Sequence, residues 1–314
     1  MRLVTLDEIR AAATSVDGVT LRTPLVPCRW DDGLALKAES LQPVGSFKLR
    51  GATHAVASLT PDARARGVVT HSSGNHGQAL AYAARAAGAP CTVVIPDGAP
   101  AIKIDQVRAL GATVVIVPPA ERLTEARRLA AEGGLTLVPP FDDRSVIAGQ
   151  GTVGLEILEQ APDVEVVLVP VGGGGLASGV ATAVKALAPH VAVVGVEPEY
   201  AADARDSLAA GEVVVWDLAD TYRTSADGLR TNLSELTLAH LSRHLDGIVT
   251  VTEDEIRTAN ARLVREARLV VEPSGAVTTA ARMFRADELP GGRTVAVVSG
   301  GNIDPALLAT LATL

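Results

Sequence analysis

The chain predicts an α/β protein built from two doubly wound sheet domains, and three observations carry that reading. Short β-branched runs alternate with Ala-rich helical periods nearly throughout, an order that builds parallel sheets with helices on both faces. Three runs, "VEVVLVPV" (164–171), "VAVVGVEP" (191–198) and "TVAVVSGG" (294–301), are apolar nearly without a break, as strands buried on both faces are. At 314 residues the chain is also longer than one core usually serves.

The elements follow in order. The alternating "LALKAES" reads as a strand with Lys37 facing outward. Ser46 is an N-cap candidate opening a helix over 47–58. "GVVTH" (67–71) precedes the helical "HGQALAYAARAAG" (76–88), and "CTVVIP" (91–96) precedes "APAIKIDQVRALGA" (99–112). "TVVIVPP" (113–119) precedes "ERLTEARRLAAEGG" (121–134). These three strand–helix units are expected to form a small domain over 67–143. Residues 1–66 and 144–314 then form a large, discontinuous one.

Composition narrows the function. Apolar residues make up 47% and charged residues 20%, as in ordinary soluble globular proteins. A net charge of -8 argues against nucleic acid or an anionic membrane as partner, while leaving a small anionic substrate open. The uncharged run 166–184 approaches membrane-span length, but Pro170 and four consecutive glycines make it strand, turn and helix. Cys28 and Cys91 form no metal-ligand or CxxC spacing, and the start is not signal-like, so a reducing cytoplasm is expected.

In open α/β sheets ligands sit where strands run into helices at their carboxyl ends. Four loops qualify: "SSGNHG" (72–77), "GGGG" (172–175), "EPEYAAD" (197–203) and "SGGN" (299–302). Four glycines between strand and helix let backbone N–H groups close on a ligand at a helix start, a phosphate cradle. The alternatives are a tight turn or a dinucleotide site, though GxGxxG spacing is missing and no Walker A lysine follows. The chain has only four lysines: Lys37, Lys48, Lys103 and Lys185. Lys103 and Lys185 lie on helical periods as solvated cations. Lys48, in the first turn of its helix, opposes the helix dipole, which with desolvation favours the neutral amine that a Schiff base needs. A surface lysine in an unfavourable place is the bland alternative. "SSGNHGQ" suits a carboxylate or is a polar N-cap cluster, and His71 and His76 have no metal-ligand spacing.

"GSFKLRGA", "SSGNHGQA", "VIAGQGT" (146–152), "GGGGL" and "SGGN", in this order and spacing, resemble the fold type II pyridoxal-phosphate enzymes. That fold is the tryptophan synthase β-like one. More narrowly, the motifs resemble the threonine/serine dehydratase and serine racemase group, over about residues 20–303. The resemblance implies pyridoxal 5′-phosphate on Lys48, with Phe47 and Gly228 flanking its ring and Asn75 on the phenolic oxygen. It implies the phosphate on the amides of Gly172, Gly173, Gly174, Gly175 and Leu176, and Ser299 at the ring nitrogen. Ser72, Ser73, Asn75 and His76 would hold the substrate carboxylate, and Ser73 matches the second acid/base of serine racemases. Glu197, Asp203 and the Ala201 carbonyl match a divalent-cation site, and oxygen ligands imply Mg²⁺ or Ca²⁺. A homodimer is implied as well.

For activity, the resemblance implies β-elimination from L-threonine and L-serine to a 2-oxo acid and ammonia. "PPFDD" (139–143) carries Phe141 where racemases have a polar residue, which suits an alkyl β-substituent. Serine racemase is the first alternative, favoured by Ser73 and the cation motif. Hydroxyaspartate ammonia-lyase is weakened by the lack of an arginine placed for a second carboxylate. A regulatory module that binds a nucleotide without transforming it is the non-enzyme alternative.

Overall fold

The structure is a computed structural model that describes residues 1–72, 74–99 and 101–314, the side chains of Ala101 and Ile102 excepted. Helix α1 (Leu6–Val16) opens with a reciprocal cap between Thr5 and Glu8. Strands β1 (Leu25–Pro27) and β2 (Leu34–Ala38) pair antiparallel ahead of α2 (Lys48–Ala57). Next come α3 (Pro61–Arg66), β3 (Val68–His71), α4 (Asn75–Ala86), β4 (Cys91–Pro96) and α5 (Ala101–Ala109). They are followed by β5 (Thr113–Val117), α6 (Arg122–Gly133) and β6 (Thr136–Leu137). Then α7 (Arg144–Gln160), β7 (Val166–Pro170), α8 (Gly175–Leu187), β8 (Ala192–Pro198) and α9 (Asp203–Ala210) lead to α10 (Leu218–Thr221). The chain closes with α11 (Glu235–His244), β9 (Gly247–Val251), α12 (Glu253–Arg262), α13 (Pro273–Phe284), β10 (Thr294–Val298) and α14 (Pro305–Thr313).

Two sheets result, in the orders β1-β2-β10-β7-β8-β9 and β5-β4-β3-β6, parallel throughout except for β1. Continuous apolar sequence becomes continuous burial: every residue of β7 and of β10 is buried. The strands of the four-stranded sheet all come from residues 68–137. Its core reaches further, drawing in Val44, Val146 and Leu49, Ala52, Ala55 and Val56 of α2. The "VIAGQGT" stretch explains itself here, as two helices cross α7 at backbone contact. A Cβ on Gly149 would lie 2.6 Å from the Arg50 carbonyl oxygen, and one on Gly179 of α8 would lie 2.4 Å from that of Ile147. The helix carrying Lys48 and the helix after the glycine loop are thus set against the same rod. Among the described residues no helix is long and apolar enough to cross a membrane.

Lys37 does not face outward. It is fully buried, because its ammonium meets Glu156, the Thr23 carbonyl at 2.7 Å and Gln160 at 2.9 Å. Lys185 is not free in solvent either: it pairs with Asp246 at 2.7 Å and donates to the Val191 carbonyl at 2.8 Å.

Candidate active site

Lys48 opens α2, and the chain ahead of it is stitched to the end of β10. The Phe47 N–H donates to the Ser299 carbonyl at 3.0 Å, and Ser46 forms an antiparallel bridge with Gly300. The helix has Phe47 at its N-cap position and no side-chain cap. Ser46 is therefore not the cap: its backbone is committed to Gly300, and its buried hydroxyl reaches none of the first-turn amides. Lys48 nevertheless stands in the first turn, where a cation is disfavoured. Its Nζ donates to the Pro140 carbonyl at 2.7 Å and lies 5.0 Å from the Phe47 ring centroid. Burial pushes the amine down from 10.5 to about 8, with the Glu272 carboxylate offsetting part of the effect.

Glu272 is a site residue that the sequence reading missed. It is 5% exposed, at the N-cap position of α13. Burial pushes its carboxyl up to about 7, the charge of Asp227 adds to this, and the Asn75 hydrogen bond opposes it. Asn75 is fixed by two partners: its Nδ2 donates to Glu272 Oε1 at 2.7 Å, and its Oδ1 accepts from Asn302 Nδ2 at 2.7 Å. Gly300 passes so near that a Cβ there would lie 2.2 Å from the carboxylate. The available signal was an acid flanked by apolar residues in "LVVEPSGAV".

The glycine loop joins β7 to α8, with Gly174 at the N-cap position and at a φ of 84° that other residues rarely adopt. Among the described residues the N–H groups of Gly172, Gly173 and Gly174 meet no acceptor. Those of Gly175 and Leu176 lie in the first turn of α8, where no intrahelical partner exists. Five donors at a helix start form an anion site. Its walls are close: a Cβ on Gly173 would lie 2.4–2.6 Å from the Phe141 ring, and one on Gly172 would lie 3.1 Å from the Gly228 carbonyl oxygen. The Gly228 N–H donates to Ser274 Oγ at 2.9 Å, and the buried Ser299 hydroxyl lies 3.4 Å from the Ser274 carbonyl. Lys103 reaches across from α5 to Asp227 at 3.5 Å, so it is an ion-pair partner beside the site instead of a solvated cation.

In the "SSGNHG" loop, Ser72 Oγ accepts from the Gly74 N–H at 3.3 Å. The His76 ring is buried and turned to the Val138 carbonyl at 3.0 Å. Burial and the charge of Lys48 push it down to about 3, so it is a neutral ring committed to that carbonyl. Ser73 lies outside the described residues.

Away from this cluster, Glu197 and Asp203 are both fully buried. Glu197 accepts from the Ala204 and Arg205 N–H groups at 2.9 Å each, and Asp203 Oδ2 accepts from the Leu233 N–H at 3.1 Å. Asp203 Oδ1 has no partner among the described residues. Burial pushes Asp203 up to about 7, and burial together with the Asp203 charge raises Glu197. No three His, Cys, Asp or Glu side chains cluster among the described residues, so any ion here would rest on two carboxylates and backbone oxygen.

A desolvated amine on the Pro140 carbonyl and, against the adjoining Phe141, a loop of free amides at a helix start suit an enzyme that works through a phosphorylated carbonyl cofactor. The chain belongs to the pyridoxal-phosphate dependent enzyme family, whose model matches residues 16–300. It is 42% identical over 310 residues to the L-threonine ammonia-lyase of Thermotoga maritima, covering 96% of this chain and 76% of that one. It is 38% identical to the serine racemase of Dictyostelium discoideum, covering 97% and 96%. The crystal structure of T.th. threonine deaminase superposes with a TM-score of 0.90 at 45% identity, covering 96% of this chain and 99% of that one. The fold is that of the type II pyridoxal-phosphate enzymes, and membership of an enzyme family sets aside the regulatory-module reading. The residues fit the cofactor: unpartnered loop amides for its phosphate and a desolvated amine for its aldehyde.

Proposed function

We propose that this chain removes water from L-threonine and L-serine by β-elimination, and that the released enamine, as its imine, takes up one water to give a 2-oxo acid and ammonia. The observation that carries it is the Lys48 Nζ, pushed down to about 8 and held at the Pro140 carbonyl, with the Phe141 ring beside it against the glycine loop. When bound, pyridoxal phosphate supplies the sink for the electrons left at Cα. The chain's own residues do the rest. Lys48 Nζ, substantially neutral near pH 8, accepts the Cα proton. Amides of the 72–77 loop hold the substrate carboxylate. Phe141 offers an apolar wall to the threonine methyl and excludes water from the β-carbon. Asn75 and Glu272 hold one another beside the reacting region. Ser299 would meet the cofactor's ring nitrogen with a hydroxyl and no charge. Glu197, Asp203 and the Ala201 carbonyl bind Mg²⁺ or Ca²⁺ as a brace, supported by two buried carboxylates of which one oxygen is unpartnered.

The test is a panel of L-threonine, L-serine, D-serine and L-threo-3-hydroxyaspartate, scoring 2-oxo acid and enantiomer formation together. The reading expects 2-oxo acid from the two L-substrates to exceed every other product. Predominant D-serine from L-serine would assign the chain to racemisation, and preference for the diacid would assign it to the hydroxyaspartate reaction.

A further inference from the structure

Two residues beyond Lys48, on the far side of α2, lies a guanidinium with no exposure at all. Arg50 Nε and Nη2 grip Glu39 at 2.8 Å each, and Nη1 and Nη2 grip Glu156 at 2.6 and 2.8 Å. Nη1 also reaches Thr152 Oγ1 at 3.1 Å, and Nη2 the Leu21 carbonyl at 3.2 Å. Its partners come from three places: the turn after β2, the loop before β1, and α7. Lys37 completes the set through Glu156, and Thr23 and Gln42 satisfy what remains of Glu39. Burial works against the Arg50 charge, and the two carboxylates outweigh it and keep the guanidinium ionised.

Stability alone does not account for such a set. Desolvating buried ions costs several kcal/mol each, and well-packed apolar side chains often serve a fold as well or better. What a forked, charge-assisted grip adds is direction. Elsewhere α2 is held by close backbone packing on α7 and by single hydrogen bonds, the Gly51 N–H to Gln150 Oε1 at 3.2 Å and His54 Nδ1 with Ser15 Oγ at 2.7 Å, and among the described residues only Arg50 gives it a forked, charged grip. At about 100° per residue, Arg50 and Lys48 point to nearly opposite sides of the helix, so a rotation that loosens one swings the other. We propose that Arg50 is a positioning residue for the reaction: its grip on Glu39 and Glu156 sets the rotation of α2 and thereby aims the Lys48 amine at the site. This rests on the reading of Lys48 as the reacting amine.

The experiment uses Arg50→Lys and Glu156→Gln beside the parent, with three readouts. The first is the pH midpoint at which the Lys48 amine of the cofactor-free protein is acetylated by acetic anhydride, followed by mass spectrometry. The second is kcat and KM of the loaded enzyme, and the third is thermal stability. The expected result is a Lys48 midpoint that moves up from about 8 toward 10.5 in Arg50→Lys. With it, kcat falls on the order of 10²-fold while KM stays within about threefold, since misaiming by about 1 Å costs that much. Glu156→Gln, which leaves the Glu39 half of the grip, should shift both quantities less and in the same direction. It carries the test if Arg50→Lys does not fold. Variants that lose stability yet keep the parental midpoint, and the parental kcat per folded molecule, would make the set a structural brace and overturn the proposal. A parent inert toward L-threonine and L-serine would count against the functional reading alone, because the acetylation comparison needs no substrate.

Discussion

Replacing Lys48 by Met should stabilise the cofactor-free protein, and the gain should depend on pH in one direction. A lysine amine lowered from 10.5 to about 8 in the fold is a charge that the native state holds at a cost. Below pH 8 both states are protonated and the cost is fully present. Between pH 8 and 10.5 the native state has released its proton while the unfolded chain keeps one, so native stability rises with pH across this window. Above 10.5 the difference is gone. At about 1.36 kcal/mol per unit the shift is worth at most about 3 kcal/mol, and part of the side chain is exposed, so about 1–2 kcal/mol is the expected amplitude. Methionine keeps the bulk and loses the hydrogen bond to the Pro140 carbonyl, an offset that does not vary with pH. Glu272, at about 7, is ionised throughout the window, and the other titrating groups are shared by both proteins. Denaturant unfolding of parent and Lys48→Met from pH 7 to 11 measures the gap. It should be widest near pH 7 and close by about pH 10.5; a gap that stays flat would refute the desolvation argument.

Other outcomes follow from the same geometry. Gly173→Ala drives a Cβ into the Phe141 ring, so cofactor affinity should drop by tenfold or more at a stability cost of about 1–3 kcal/mol, read by cofactor titration and thermal melting. Because burial raises Asp203 to about 7, the metal-free protein should lose stability as pH rises from about 4 to 7. Mg²⁺ or Ca²⁺ should cancel that loss, so the Tm gain on adding the ion should be larger at pH 8 than at pH 5, and equal gains would argue against a cation at this pair. Ser73→Ala should suppress any racemisation and any reaction of D-serine by about 10²-fold or more while sparing elimination from L-serine, checked by chiral product assay. An equal loss of both would make Ser73 a carboxylate-positioning residue.

Much of this was legible in the residues because the strongest signals are local. The doubly buried strands announce themselves as nearly unbroken apolar runs, and β4 falls at Cys91–Pro96 as read. Four glycines in a row also speak without tertiary context, whereas Lys48 by itself read as readily as a surface lysine and was singled out by the resemblance of the motifs around it. What was not legible depends on partners distant in sequence. Strand β6 is two residues long and exists only because Val68 and Val69 offer it an edge, so no periodicity marks it. Lys37 looked outward because an alternating strand normally puts its charge in water; the reversal comes from Glu156 and Gln160, about 120 residues away. Ser46 has the right side chain for a cap, but Gly300, also far along the chain, claims its backbone. Glu272 was passed over for the same reason. Its partner Asn75 lies 197 residues earlier, and only the fold brings the two within a hydrogen bond.

The central claim is that Lys48, alone among the four lysines, carries the cofactor. Loading the protein with pyridoxal phosphate, reducing with borohydride and mapping the digest by mass spectrometry tests it most directly. The account predicts one modified peptide, containing "GSFKLR", and loss of both the label and the visible absorption band in Lys48→Ala. Label on Lys37, Lys103 or Lys185 in the parent, or an unchanged band in Lys48→Ala, would contradict it.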